Sequence, residues 1–187
     1  MSSPIGHSLA GCIISLYKES LPGSLQFQSK SILFYLIVAN APDLDFIPGF
    51  LAGKPNLYHH GLSHSIGFGV VVSIVATWLI TRNTLKKPLR EFTFFFICFL
   101  SHLLLDLFSI DGRPPLGIPI FWPFSNIYYM IPILPPVKHS LLDHATIGQF
   151  LTDLFSLHNL YVAGLEILLS FPFLLILIWQ KNRKSQS

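Results

Sequence analysis

Charge is what this chain of 187 residues has least of: 11% is Asp, Glu, Lys or Arg, while 51% is hydrophobic. A soluble domain usually carries about 25% charged residues. With a mean hydropathy of +0.58, the deficit excludes an ordinary soluble domain and points to a bilayer. The net charge of +3 is small, and the basic residues form clusters rather than a stripe, so no nucleic-acid partner is expected. Cysteine is scarce too. Cys12 and Cys98, both in apolar stretches, make neither a disulfide framework nor a C-x-x-C metal site, and read as small buried hydrophobes. No Lys or Arg precedes Lys18, so the lipoprotein-like box Leu9-Ala10-Gly11-Cys12 lacks the basic region a secretory leader needs. The hydrolytic signatures H-E-x-x-H and G-x-S-x-G and a Gly-rich phosphate loop are missing as well.

What the chain does have is apolar segments. Ile66 to Ile80, Phe92 to Phe108 and Leu160 to Trp179 are clear, Ser31 to Phe50 is a fourth candidate, and Ile5 to Leu21 is a polar-spotted fifth. A span takes ~20 apolar residues, and runs of this length suit helices rather than barrel strands. The expected fold is an all-α, multi-pass transmembrane helical bundle of four or five spans. It forms one integral-membrane domain over residues 1–180, with a basic tail at 181–187. Arg82, Lys86, Lys87 and Arg90 crowd the link between the third and fourth segments, and Lys181, Arg183 and Lys184 the tail. Lys18 and Lys30 fit a cytoplasmic first link. The positive-inside rule makes these cytoplasmic and puts the beginning of the chain outside. The outer link from Ser109 to Asn159 begins with a Pro- and Gly-rich stretch that cannot be continuous helix. Its later part, Ser140 to His158, is amphipathic and is expected to form an interfacial helix or lid.

Four motifs punctuate these segments: His7, P-D-L-D at Pro42 to Asp45, H-H-G-L-S-H-S at His59 to Ser65, and S-H-L-L-L-D at Ser101 to Asp106. On the map above, all four fall on the outer side. Imidazole and carboxylate together suit a divalent metal such as zinc and are costly beside hydrocarbon without a partner. His102 and Asp106 are one helical turn apart on one face, able to touch one ion; the bland alternative is a hydrogen bond joining two helices. Pro42 and Pro48 imply a turn in which Asp43 and Asp45 both point inward, although helix termination alone would also use them. His59, His60 and His64 lie within six residues, with Gly61 between them and Ser63 or Ser65 able to cap the helix that follows. Two histidines and a carboxylate suffice for a catalytic metal with an open position. A metal-bound water with its pKa brought to ~7 would then be the nucleophile.

In order and spacing from His7 to Pro123, these motifs resemble the YdjM-like membrane-bound metal-dependent hydrolases. The stretch Gly117-Ile118-Pro119-Ile120-Phe121-Trp122-Pro123 resembles the G-x-P-x-x-W-P segment of that family. The family is in turn distantly similar to zinc-dependent phospholipase C and zinc-dependent single-strand nucleases. The resemblance implies metal ligands at His7, Asp43 or Asp45, His59, His64, His102 and Asp106. His60 stands where the family commonly has Arg, so His60, Arg113 and Lys138 become candidates for substrate contact. The further histidines and acidic residue that complete the cluster in the soluble relatives have no convincing match in His139, Asp143, His144 and His158.

The leading expectation is therefore a membrane-embedded hydrolase. One to three ions, zinc first among them, would cleave a lipid or lipid-linked phosphoester at the extracytoplasmic face of the inner membrane. Asp43 or Asp45 would accept the proton. The alternatives are a divalent-cation transporter, a metal-braced structural membrane protein, and a ceramidase-like amidase, which would need more spans.

Overall fold

The computed structural model describes residues 1–21, 29–83, 87–112, 114–138 and 146–184, with the side chains of 29, 30 and 181–184 excepted. Among these residues the protein is helical, with no strand beyond two isolated bridges. In order, the helices are α1 (Pro4–Ser20), α2 (Ser29–Ala39), a 3-10 turn (Pro42–Asp45), α3 (Phe46–Leu51), α4 (Ile66–Thr81), α5 (Pro88–Phe108), α6 (Ile147–Leu154) and α7 (Leu157–Lys184).

Local chemistry explains where they begin. The Ser3 side chain accepts from the Gly6 N–H to start α1, and Ser65 accepts from the Phe68 N–H at 3.2 Å to start α4. Such side-chain acceptors satisfy donors that the first turn leaves unpaired. Proline at the start of α1 and of α5 occupies positions where no N–H is required.

Two of the described helices are long and apolar enough to cross a membrane: α5, and α7 over Leu157–Gln180. A third span results if α2 and the Pro42–Leu51 stretch count as one, although they are bent by 57°. That bend divides the Ser31 to Phe50 segment where Pro42 removes a backbone donor. Helix α4 is apolar but has 16 residues, about 24 Å of helix against a hydrocarbon core of ~30 Å.

Helices α1, α2, α4 and α5 pack together, and α7 packs on α1. Their shared core is built of Tyr35, Phe95, Cys98, Phe99, Leu103 and Ile118, all with no exposed surface. Both cysteines are unpaired. Gly69 is what lets α4 and α5 approach. A Cβ there would lie 2.5 Å from Phe99 Cδ1. At the opposite end from the histidine motifs, Lys18 of α1 pairs with Glu91 of α5, both buried.

The Pro-rich link folds back over the start of α4. Ile66 N–H donates to Ile120 O at 2.9 Å and Gly67 N–H to Trp122 O at 3.1 Å. Gly117, at φ +93°, brings the chain so close to Tyr129 that a side chain would meet its carbonyl. Helix α6 is shorter than the helix expected within Ser140 to His158. Residues 140–145 lie outside the described set, and α6 buries Phe150 edge-on against Phe46 and Phe50 of α3.

Candidate metal centre

The antiparallel packing brings the start of α1, the break after α2, the start of α4 and the last turns of α5 to one end of the bundle. Four side chains meet there. His64 Nε2 and His102 Nε2 are 3.3 Å apart. Asp106 Oδ2 lies 3.1 Å from His102 Nε2 and 3.4 Å from His64 Nε2. Asp43 Oδ1 lies 3.7 Å and 3.6 Å from the same two nitrogens. Zinc bonds of ~2.0–2.2 Å in a tetrahedron require donor atoms ~3.3–3.6 Å apart, and these five separations surround that range. The four side chains could hold a metal ion.

Hydrogen bonding fixes which nitrogens face inward. A neutral imidazole carries a single ring proton, and the nearer acceptor takes it. His102 Nδ1–H donates to Ala39 O at 2.7 Å, and His64 Nδ1–H lies 3.2 Å from Asp45 Oδ2. In the neutral rings both Nε2 atoms therefore present lone pairs to each other and to two carboxylates. Both Asp43 oxygens and Asp106 Oδ2 are buried with no hydrogen-bond donor among the described residues. Such a set favours a cation. Without a metal, a proton meets that need in part. Burial opposes charge on His64, but the Asp106, Asp43 and Asp45 contacts outweigh it and hold the ring's pKa well above its ordinary value.

The two carboxylates of P-D-L-D part company. Asp43 reaches the four-donor set, whereas Asp45 sits behind it. Asp45 accepts from His59 Nδ1 at 3.0 Å, Ser63 Oγ at 2.8 Å and His64 Nδ1, as carboxylates that orient ligating histidines do. His7 is fully buried and stacks on His102 with ring centroids 3.6 Å apart. Its Nε2 is 3.5 Å from Asp106 Oδ1. His7 therefore belongs to the cluster, along the wall formed by α1.

His59 stacks on Phe46 at 4.0 Å, with its Nε2 3.0 Å from Met1 Sδ. Burial lowers the pKa of both His59 and His60, which favours their neutral rings. Lys138 is exposed, its backbone clamped on both sides by the Asn159 side chain. Arg113, His139 and His144 lie outside the described residues. His158 Nε2 donates to Pro136 O at 2.8 Å and braces the start of α7.

The motif map misses a second layer of contacts. Asp106 Oδ1 accepts the Ser2 N–H at 2.8 Å, and Ser2 Oγ donates to Glu166 of α7 at 2.5 Å. Ser3 also donates to Glu166, through both its N–H and its hydroxyl. A lone glutamate inside the last apolar segment was the available signal.

A cavity of about 670 Å³ opens beside the cluster, lined by Asp45, His59, His60, Lys54, Pro114 and Tyr128 among others. Tyr128 lines it. Trp122 covers the first turn of α4 at Gly67, and Phe124 is 93% exposed.

This arrangement occurs within a recognisable sequence. The YdjM inner membrane protein family matches residues 1–184. The chain belongs to that family. This YdjM-family protein is also similar to inner membrane protein YbcI of Escherichia coli (strain K12), at 28% identity over 112 residues. That alignment covers 59% of this chain and 63% of the relative, so the chain spans less than two thirds of YbcI. No solved structure matches. Family and apolar helices together make the YdjM-family chain an integral membrane protein.

Proposed function

We propose that the protein is a membrane-embedded metal-dependent hydrolase of phosphoesters, acting on lipid or lipid-linked substrates. The observation that carries the reading is the spacing of His64 Nε2, His102 Nε2, Asp43 Oδ1 and Asp106 Oδ2, at 3.1–3.7 Å in the five measured pairs. His64, His102 and Asp106 would hold a zinc-type ion, with the position beside Asp43 left for a water that the ion would activate near neutral pH.

The chain's own residues do the rest. Asp45 fixes the tautomer of His64, and the Ala39 carbonyl fixes that of His102. Asp43, whose second oxygen has no partner among the described residues, is the group placed to take the proton from an attacking water. Ser2 holds Asp106 in line. Lys54 and Tyr128 of the adjoining cavity suit an anionic head group under an aromatic rim. In this reading α1 and α4, with flanking residues, complete four or five crossings. The basic link and tail lie in the cytoplasm, and the centre faces outward across the inner membrane. Ligands gathered at one end of the bundle favour an enzyme over a divalent-cation carrier, whose site sits near the midplane.

The test is turnover of a phospholipid-like phosphoester by purified protein in micelles, with and without chelation and zinc restoration. Activity lost on chelation, restored by zinc and absent from His102→Ala supports the reading. Zinc uptake into sealed vesicles without hydrolysis would replace it with the transporter.

A further inference from the structure

His60 is among the buried histidines outside the four-donor set. His60 holds φ +61°, the left-handed region that side chains with a Cβ avoid, a conformation that often marks a functional position. Its Nδ1–H donates to Asp111 Oδ2 at 2.8 Å, and Asp111 is itself anchored by the Gly117 N–H at 3.2 Å. The proton is thereby assigned to Nδ1 and the lone pair to Nε2. That Nε2 is buried and has no hydrogen-bond partner among the described residues, in a residue only 6% exposed. The His60 ring centroid lies 4.2 Å from that of His59 and 5.0 Å from that of His64.

We infer that His59, His60 and His64 form a second metal site, opening on the 670 Å³ cavity and sharing the His64 ring with the first. One ligand atom from each of the three residues lies within 4.8 Å of the others. Inward movement of under about 1 Å by each ring closes that spacing to a tetrahedral one. An all-imidazole set selects zinc, copper, nickel or cobalt over magnesium and calcium. His59 and His60 are each oriented by a carboxylate, Asp45 and Asp111, as ligating histidines are. His64 has one nitrogen for each ion. Its Nε2 faces Asp43, His102 and Asp106, and its Nδ1 is on the Asp45 side. Loading both sites therefore displaces the His64 Nδ1 proton to solvent, leaving an imidazolate between two divalent ions. The inference rests on the hydrolase reading only through this shared ring.

The probe is Co²⁺, added to chelator-stripped full-length protein in micelles. The readouts are bound cobalt by elemental analysis after desalting, proton release, and the magnetic coupling that a bridged cobalt pair shows. His60→Gly suits the test because glycine accepts the left-handed backbone without strain. It is expected to lose the second equivalent and the coupling while keeping the first. Asp111→Asn leaves all three histidines in place, and is expected to weaken the second equivalent about 10–100-fold. Two outcomes overturn the second site: wild-type protein that takes up a single equivalent, or His60→Gly and Asp111→Asn proteins that both load like wild type. Neither touches the first site, which falls separately if His102→Ala retains all its cobalt.

Discussion

Replacing Asp106 by Asn is the sharpest single perturbation of the four-donor set. Asp106 is 2% exposed, with Oδ1 accepting the Ser2 N–H at 2.8 Å and Oδ2 facing His102 and His64. An asparagine keeps the shape, but its carbonyl must stay with the Ser2 N–H, since an NH2 group there would oppose a donor with a donor. The amide NH2 then turns into the cluster, placing two donors where a cation belongs and removing one of two negative charges. One unit charge at ~4 Å with an effective dielectric of ~20 is worth about 4 kcal/mol. That corresponds to roughly a thousandfold in Kd, and the double charge of the ion makes this a floor. Asp45→Asn acts only through His59 and His64, so it should cost about 10–100-fold. Zinc affinity is measured by competition with a chromogenic chelator in micelles, with circular dichroism confirming the helices. An Asp106→Asn protein within tenfold of wild type, or one that binds better than Asp45→Asn, refutes the assignment.

Acid should release the metal early. The His64 pKa is raised above its ordinary 6.5 in the metal-free protein, so the ring stays protonated to higher pH and competes with zinc as pH falls through that raised value. Zinc affinity that stays flat on acidification down to the ordinary histidine range would contradict this. Removing one partner of the buried Lys18–Glu91 pair, as in Glu91→Gln, should cost about 3–5 kcal/mol in thermal unfolding, and Lys18→Met with Glu91→Leu should recover most of it. Losses that simply add would count against the pairing. Gly69→Ala, whose Cβ meets Phe99 Cδ1 at 2.5 Å, should lose about 1–3 kcal/mol, partly restored by Phe99→Leu. An unchanged melting temperature would show that α4 and α5 pack otherwise. Cysteines replacing Asn126 and Asn83 should label from outside and from the cytoplasm respectively, and preferential outside labelling at Asn83 would reverse the proposed orientation.

Hydrophobic runs made the helices legible. Ile66 to Ile80 appears as Ile66–Thr81, Ile5 to Leu21 as Pro4–Ser20, and Phe92 to Phe108 ends at the same residue as α5. Hydropathy presents Ser31 to Phe50 as one segment because it does not register a missing N–H, and Pro42 breaks it. His7, Asp43, His64, His102 and Asp106 do converge, since each sits at a helix end that antiparallel packing must bring to one side. The distinct position of Asp45 was not legible. Whether a carboxylate faces the centre or the back of a histidine depends on the 3-10 geometry of four residues, which alternation cannot reveal. Asp111 beneath His60 and Glu166 beneath Ser2 and Ser3 were equally hidden, because such contacts join distant segments and leave no periodic trace.

The Glu166 contacts also bear on the order in which the molecule is made. Asp106 is aligned by Ser2, and Ser2 and Ser3 are held by a carboxylate on α7, which leaves the ribosome after α1 to α6. Before α7 docks on α1, the opening residues lack their anchor and Asp106 lacks its alignment. A chain that stops short of residue 157 would thus insert several hydrophobic helices yet present an unfinished centre. Afterwards, withdrawing α7 would leave Glu166 without its partners in a low-dielectric setting, at a cost of several kcal/mol. Docking of α7 thus doubles as a checkpoint on assembly of the centre.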